Sequence, residues 1–159
     1  MGVSAGAIAM YQLEVKAALV RNHFRKSDGW RVTVNVDAME RAKGGQHPDG
    51  KRERVQIAEA ELRDKLSATI GIHPEFRRTD VVAEHRALGT VLVEVEGESR
   101  KQREQKWYSA FGQLVTEMSQ FEDSIAYAIA VPDSPQWKRQ LDKIPAAVAE
   151  RLRLHLYEE

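Results

Sequence analysis

The sequence predicts an α/β domain with a mixed central sheet flanked by helices, and three observations carry that prediction. Apolar residues recur at steps of three and four in some segments and at every second position in others, and the two patterns alternate along the chain. Residues 125–131 are almost continuously apolar, as expected of a strand buried on both faces. No internal repeat and no linker divides the 159 residues, so one domain spanning 1–159 is expected.

Taken in order, Ala9, Leu13, Ala17, Val20 and Phe24 mark one helix face that ends near the turn Ser27-Asp28-Gly29. Trp30 to Val36 alternates as a strand. Residues 37–54 lose all periodicity and hold Gly44, Gly45, Pro48 and Gly50 among Lys43, Lys51, Arg52 and Arg54, which predicts a flexible basic loop. A second helix follows, with Ala58, Leu62, Leu66 and Ile70 facing inward and Gly71 ending it. Strands at roughly 78–85 and 90–96 are joined by a tight turn around Ala87-Leu88-Gly89.

A long helix from about Ser99 to Phe121 carries Trp107, Phe111, Leu114, Met118 and Phe121 as its stripe. Arg100, Lys101, Arg103 and Lys106 crowd its first turns, where cations oppose the helix dipole and so are not there for helix stability. In the buried strand 125–131, Ala126, Ala128 and Ala130 leave room for a helix to pack close. Ser134-Pro135 is a cap and first-turn pair for a short helix that Pro145 breaks or kinks. Leu152, Leu154 and Leu156 then alternate as an edge strand, a surface on which a second copy could pair in a homodimer.

Composition bounds the function. Lys plus Arg and Asp plus Glu number 24 each, so any surface for nucleic acid must be local. The absence of cysteine excludes disulfides and thiolate zinc sites and suits a cytoplasmic setting. Met1 to Met10 has neither a basic start nor a sustained apolar core, so no signal peptide and no membrane span are expected.

The strongest chemical signal is Val91-Leu92-Val93-Glu94-Val95-Glu96-Gly97. Alternation puts Glu94 and Glu96 on one face, where two carboxylates on an apolar strand repel each other and cost desolvation. A cation between them removes the conflict. Asp80 joins them if the intervening loop has three residues, Ala87-Leu88-Gly89 closed by Arg86 and Thr90, which sets Asp80 across from Glu96 with Glu94 diagonal to it. Opposite faces for Asp80 and Glu94 would end the metal reading. Hard oxygen ligands of this kind suit Mg²⁺ or Mn²⁺. A solvent-facing acid pair neutralised by Arg or Lys is the plain alternative.

His47, His73 and His85 lack metal-ligand spacing, and His85 alternates away from Asp80. Trp107 and Phe111 read as core, while Tyr108 is a candidate for stacking on bases. Gly44-Gly45 is not followed by Gly-Lys-Ser or Gly-Lys-Thr, so no nucleotide-binding loop is expected.

Asp80, then Glu94-Val95-Glu96-Gly97, then a helix bearing Gly112-Gln113-Leu114, resembles the PD-(D/E)XK nuclease superfamily, the restriction-endonuclease-like fold, over roughly residues 10–131. The resemblance implies a divalent-metal-dependent nuclease that hydrolyses DNA phosphodiester bonds. It implies Asp80 and Glu94 as Mg²⁺ or Mn²⁺ ligands with the Val95 carbonyl, Gln113 as the helix glutamine and Glu14 as a first-helix acid. Thr79 stands where the family usually has proline, and Glu96 stands at its lysine position. Glu96 would then orient or deprotonate the attacking water, unless Lys101 or Lys106 reaches back. Lys51, Arg52, Arg54, Arg100, Lys101, Arg103 and Lys106 would contact backbone phosphates. The other outcome of Glu96 at that position is a catalytically inactive nuclease-fold domain that binds nucleic acid or a protein partner.

Overall fold

The computed structural model describes residues 10–98, 103–118 and 123–159. A six-stranded mixed sheet has the order β2-β1-β3-β4-β5-β6. The strands are β1 (Trp30–Val34), β2 (Thr69–Ile70), β3 (Val81–His85), β4 (Gly89–Val95), β5 (Ile125–Val131) and β6 (Leu154–Glu158). The helices are α1 (Gln12–His23), α2 (Lys51–Ala60), α3 (Arg103–Glu117), α4 (Pro135–Leu141) and α5 (Ala146–Arg151). β3 is antiparallel to both β1 and β4, whereas the β1–β2, β4–β5 and β5–β6 pairs are parallel.

Strand alternation divides the core in two. Val81, Ala83, Val93, Val95, Ala128 and Ala130 pack with α1 and α2. Val82, Leu92, Tyr127, Ile129 and Val131 pack with Trp107 and Leu114 of α3 and Trp137 and Leu141 of α4. The small side chains of Ala128 and Ala130 lie beneath α1, as the alanine spacing predicts. α1 is buried almost all round, from Leu13 to Val20 with Glu14 excepted, because the sheet covers one side and α2 another. The chain after β4 meets the start of α1 so closely that a Cβ on Gly97 would lie 2.5 Å from the Gln12 nitrogen. Glu98 N–H donates to the Met10 carbonyl there (2.7 Å).

Ser134 caps α4 by accepting from Trp137 N (3.2 Å), and Pro145 ends that helical stretch and begins the separate helix α5. β6 lies at the sheet edge as expected. Among the described residues no helix is long and apolar enough to cross a membrane.

Three local expectations are corrected. The basic segment 37–54 is not loop throughout, since Lys51, Arg52 and Arg54 belong to α2. The second helix does not run to Gly71. After Ala60 it widens into a π-type turn, Glu61–Lys65, with Leu66 N bonded to the Glu61 carbonyl (2.9 Å). Ser67, at φ 56°, ends it, and Ile70 joins β2 beside β1 instead of lying on a helix face.

The β3–β4 loop is three residues long, as expected, but it is Arg86-Ala87-Leu88, closed by His85 and Gly89. The His85 ring sets this register. Its Nδ1 accepts from Ala87 N (3.0 Å) and Leu88 N (3.1 Å), so Nε2 carries the proton and donates to the Asp28 carbonyl (2.9 Å). Gly89 has a left-handed conformation (φ 94°), and a Cβ there would clash with the Ser124 carbonyl oxygen.

A candidate carboxylate site at the end of β3 and β4

The register pairs Val81 with Val93, so one step further along Asp80 faces Glu94. The even register expected from a three-residue loop holds, and the two acids share parity. The partner of Asp80 is nevertheless Glu94 and not Glu96, because His85 closes the loop one residue earlier than expected. Glu96 therefore lies three residues past Val93, the last residue of the ladder with β3. The expected trio of Asp80, Glu94 and Glu96 around one cation is not assembled: among the described residues no three His, Asp or Glu side chains gather as a metal-binding group.

Asp80 ties three strand ends together. Its carbonyl accepts from Asn35 N (2.9 Å) and its Oδ2 accepts from Val95 N (2.9 Å). Glu94, 3% exposed, lies on the α3 side of β4, where its Oε2 accepts from Gln113 Nε2 (3.2 Å). The same amide points to the Arg78 carbonyl (3.4 Å). Gln113 of α3 and Glu94 of β4 are thus brought together. The Val95 carbonyl accepts from Gln12 Nε2 (2.9 Å), a contact that the close approach at Gly97 makes possible.

Two residues enter the site that the sequence reading passed over. Lys16 of α1 is fully buried, and its Nζ donates to the Asn35 carbonyl (2.5 Å) and to Glu40 Oε1 (2.6 Å). It also stands 4.0 Å from Asp80 Oδ1. Glu40 and Asp37 cap each other reciprocally, with Glu40 N bonded to Asp37 Oδ1 (2.8 Å) and Asp37 N to Glu40 Oε2 (3.0 Å). Burial pushes the Glu40 carboxyl above its ordinary range, against the opposing pull of Lys16. Both residues had a signal: Lys16 falls on the apolar face between Leu13 and Val20, and Asp37-x-x-Glu40 is a capping pattern.

A cleft of about 480 Å³ opens beside these groups, bordered by Tyr11, Glu40, Lys51, Glu96, Glu98 and Lys106. Burial pushes the Glu96 carboxyl up to about 7, with Lys106 pulling it down and Asp80 pushing it further up. Glu94 does not border the cleft; it lies beneath, on the side held by Gln113. Lys106 of α3 borders the same cleft. Lys51 also borders it, with Nζ 5.4 Å from the Tyr11 ring centroid.

The remaining expected residues lie elsewhere. Glu14 accepts from Tyr11 N (2.9 Å) and pairs with Arg54, so it serves the start of α1 and its contact with α2. Arg52 points away from this cleft and borders another. Arg100 and Lys101 lie outside the described residues, as does the side chain of Arg103. Trp107 is core, 2% exposed, and Tyr108 is exposed beside Lys143. His73 accepts from Glu75 N and Phe76 N through Nδ1, so its Nε2 donates to Glu84, a structural role.

Chemically, the arrangement offers Asp80 and Glu94 at opposed register positions, with the Asp80 carboxylate on Val95 N and near Lys16 and the Glu94 carboxylate on Gln113, and next to them a cleft bordered by Glu96, Lys51 and Lys106. No family profile, no curated protein and no solved structure matches this chain.

Proposed function

We propose that this chain is a restriction-endonuclease-like, divalent-metal-dependent nuclease that hydrolyses DNA phosphodiester bonds. The observation that carries the reading is that the β3–β4 register, extended by one residue, places Asp80 opposite Glu94, with Gln113 of the following helix on the Glu94 carboxylate. The donor set fits a hard cation. Asp80 and Glu94 offer carboxylate oxygens, and the Val95 carbonyl keeps a lone pair beyond the one taken by Gln12. When bound, Mg²⁺ or Mn²⁺ polarises the phosphodiester and lowers the pKa of a water.

The chain's own residues supply the rest. Gln113 fixes the orientation of Glu94, a supporting contact of the kind on which ligand placement depends. Glu96, with its carboxyl near 7, can take a proton from water close to neutral pH. Lys51 and Lys106 border the cleft and can meet phosphate oxygens. Plasmid incubated with Mg²⁺ or Mn²⁺ should be cut by the native protein and not by Asp80→Ala or Glu94→Gln. Equal outcomes for native protein and both variants over several DNA substrates would sink this reading.

One observation favours a second reading, an inactive domain of the same type that binds nucleic acid or a protein partner. The Lys16 ammonium is already 4.0 Å from Asp80, in the charge position a metal would share. Calorimetric titration with Mn²⁺ separates the two. Binding that disappears in Glu94→Gln supports the nuclease, and no binding supports the inactive domain.

A further inference from the structure

A second cleft, about 580 Å³, borders the Gly44 backbone, as does the carboxylate cleft. Arg52, Gln56, Glu59 and Arg63 follow one another at steps of four, three and four, so a single face of α2 and its π-type extension forms one wall. Arg41 and Lys43 of the preceding loop border it as well. Glu59 is the one carboxylate of the lining, and it accepts from Arg41 Nε (2.8 Å) and Nη2 (3.3 Å) while Arg41 Nη1 donates to the Val36 carbonyl (3.2 Å). These bonds hold the Arg41 guanidinium in place. Lys43, Arg52 and Arg63 are exposed.

Four cations border the cleft against one lining carboxylate, and although Arg63 also pairs with Asp64 just outside it, a net positive charge remains in a chain of zero net charge, and such a cleft attracts an anion. No aromatic side chain is in the lining, so a base has nothing to stack on. The contacts offered are to phosphate. Gly44 borders both clefts, so the two adjoin.

We infer that the α2 cleft binds the phosphodiester backbone of a nucleic-acid strand, irrespective of sequence, while the scissile bond lies in the carboxylate cleft. The inference rests on the nuclease reading for that second placement. It assigns Arg41, Lys43 and Arg63, with Arg52, to backbone binding.

The test is fluorescence anisotropy of a short labelled DNA duplex, titrated in EDTA over a salt series. Counterion release predicts that Lys43→Ala and Arg63→Ala each weaken binding about fivefold near 0.15 M salt and each lower the log–log salt slope by about 0.9. Arg151→Ala on α5, an equal change in net charge, should leave both unchanged. Native slopes in the two cleft variants, an equal loss in Arg151→Ala, or no binding at all would overturn the inference. Plasmid cleavage with Asp80→Ala as control separates the two ideas. Slope loss without Asp80-dependent cleavage upholds the cleft and sinks the nuclease. Asp80-dependent cleavage with native slopes sinks the cleft alone.

Discussion

The two clefts that meet at Gly44 hold their charges in different ways. Behind the carboxylate cleft the decisive groups are wedged into the fold. Lys16 is fully buried, Glu94 nearly so, and Asp80 closes the ends of β1, β3 and β4 through backbone contacts. In the α2 cleft Lys43, Arg52 and Arg63 are exposed, and the Arg63 ion pair with Asp64 lies on the surface. Charge in the first region is part of what keeps the chain folded, because each group was taken out of water and must find its partner. Charge in the second is still hydrated and is available to a ligand.

Breaking the first region should therefore cost stability, and the largest effect is expected at Lys16. Lys16→Met leaves Glu40 buried without its cation and should cost about 3–5 kcal/mol, read from urea unfolding. Adding Glu40→Gln should restore part of that loss; full additivity of the two changes would show that they do not act as a pair. Next in size is Gln113→Ala. Gln113 is exposed, so the fold should hold while Mn²⁺ affinity falls about 10- to 100-fold, read by calorimetry.

A smaller effect is expected from Glu96. Its carboxyl should titrate with a midpoint near 7 by carbon NMR, and Lys106→Ala should move that midpoint higher. The folded state keeps this proton longer than the unfolded chain, whose group titrates near its ordinary 4.5. The contribution of Glu96 to stability is thus complete below pH 4.5 and fades as pH rises to about 7. Glu96→Gln should flatten that part of the stability curve, and an unchanged curve would remove the burial argument. The smallest effect marks the contrast most sharply: Lys43→Ala should shift stability by less than about 0.5 kcal/mol while weakening DNA binding.

What could be read from the sequence follows the same division. The strands with clean alternation or a continuous apolar run, β1, β4 and β5, were legible, as was the Ser134-Pro135 start of α4. The parity of Asp80 and Glu94 was legible because it depends only on an odd loop length. The exact partner was not, since a ring nitrogen of His85 closes the loop and no local pattern announces that. The end of α2 was missed for a related reason. Leu62, Leu66 and Ile70 keep the helical period past the point where a π-type turn and Ser67 end the helix. Lys16 was overlooked although its place between Leu13 and Val20 put a cation on an apolar face, where its partner, Glu40, comes from a loop without periodicity. The spacing of Asp80, Glu94 and Gln113 was visible in the sequence, and their contacts were not: the structure shows Gln113 on the Glu94 carboxylate.

The burial of Lys16 also makes its amine a clock. An amine-reactive reagent should modify exposed lysines such as Lys43 at once and spare Lys16 until the segment bearing Asn35 and Glu40 lifts away from α1. The rate at which Lys16 becomes labelled thus times the opening of the wall that separates the sheet end from solvent. A ligand seated in the carboxylate cleft should slow that rate without touching the lysine.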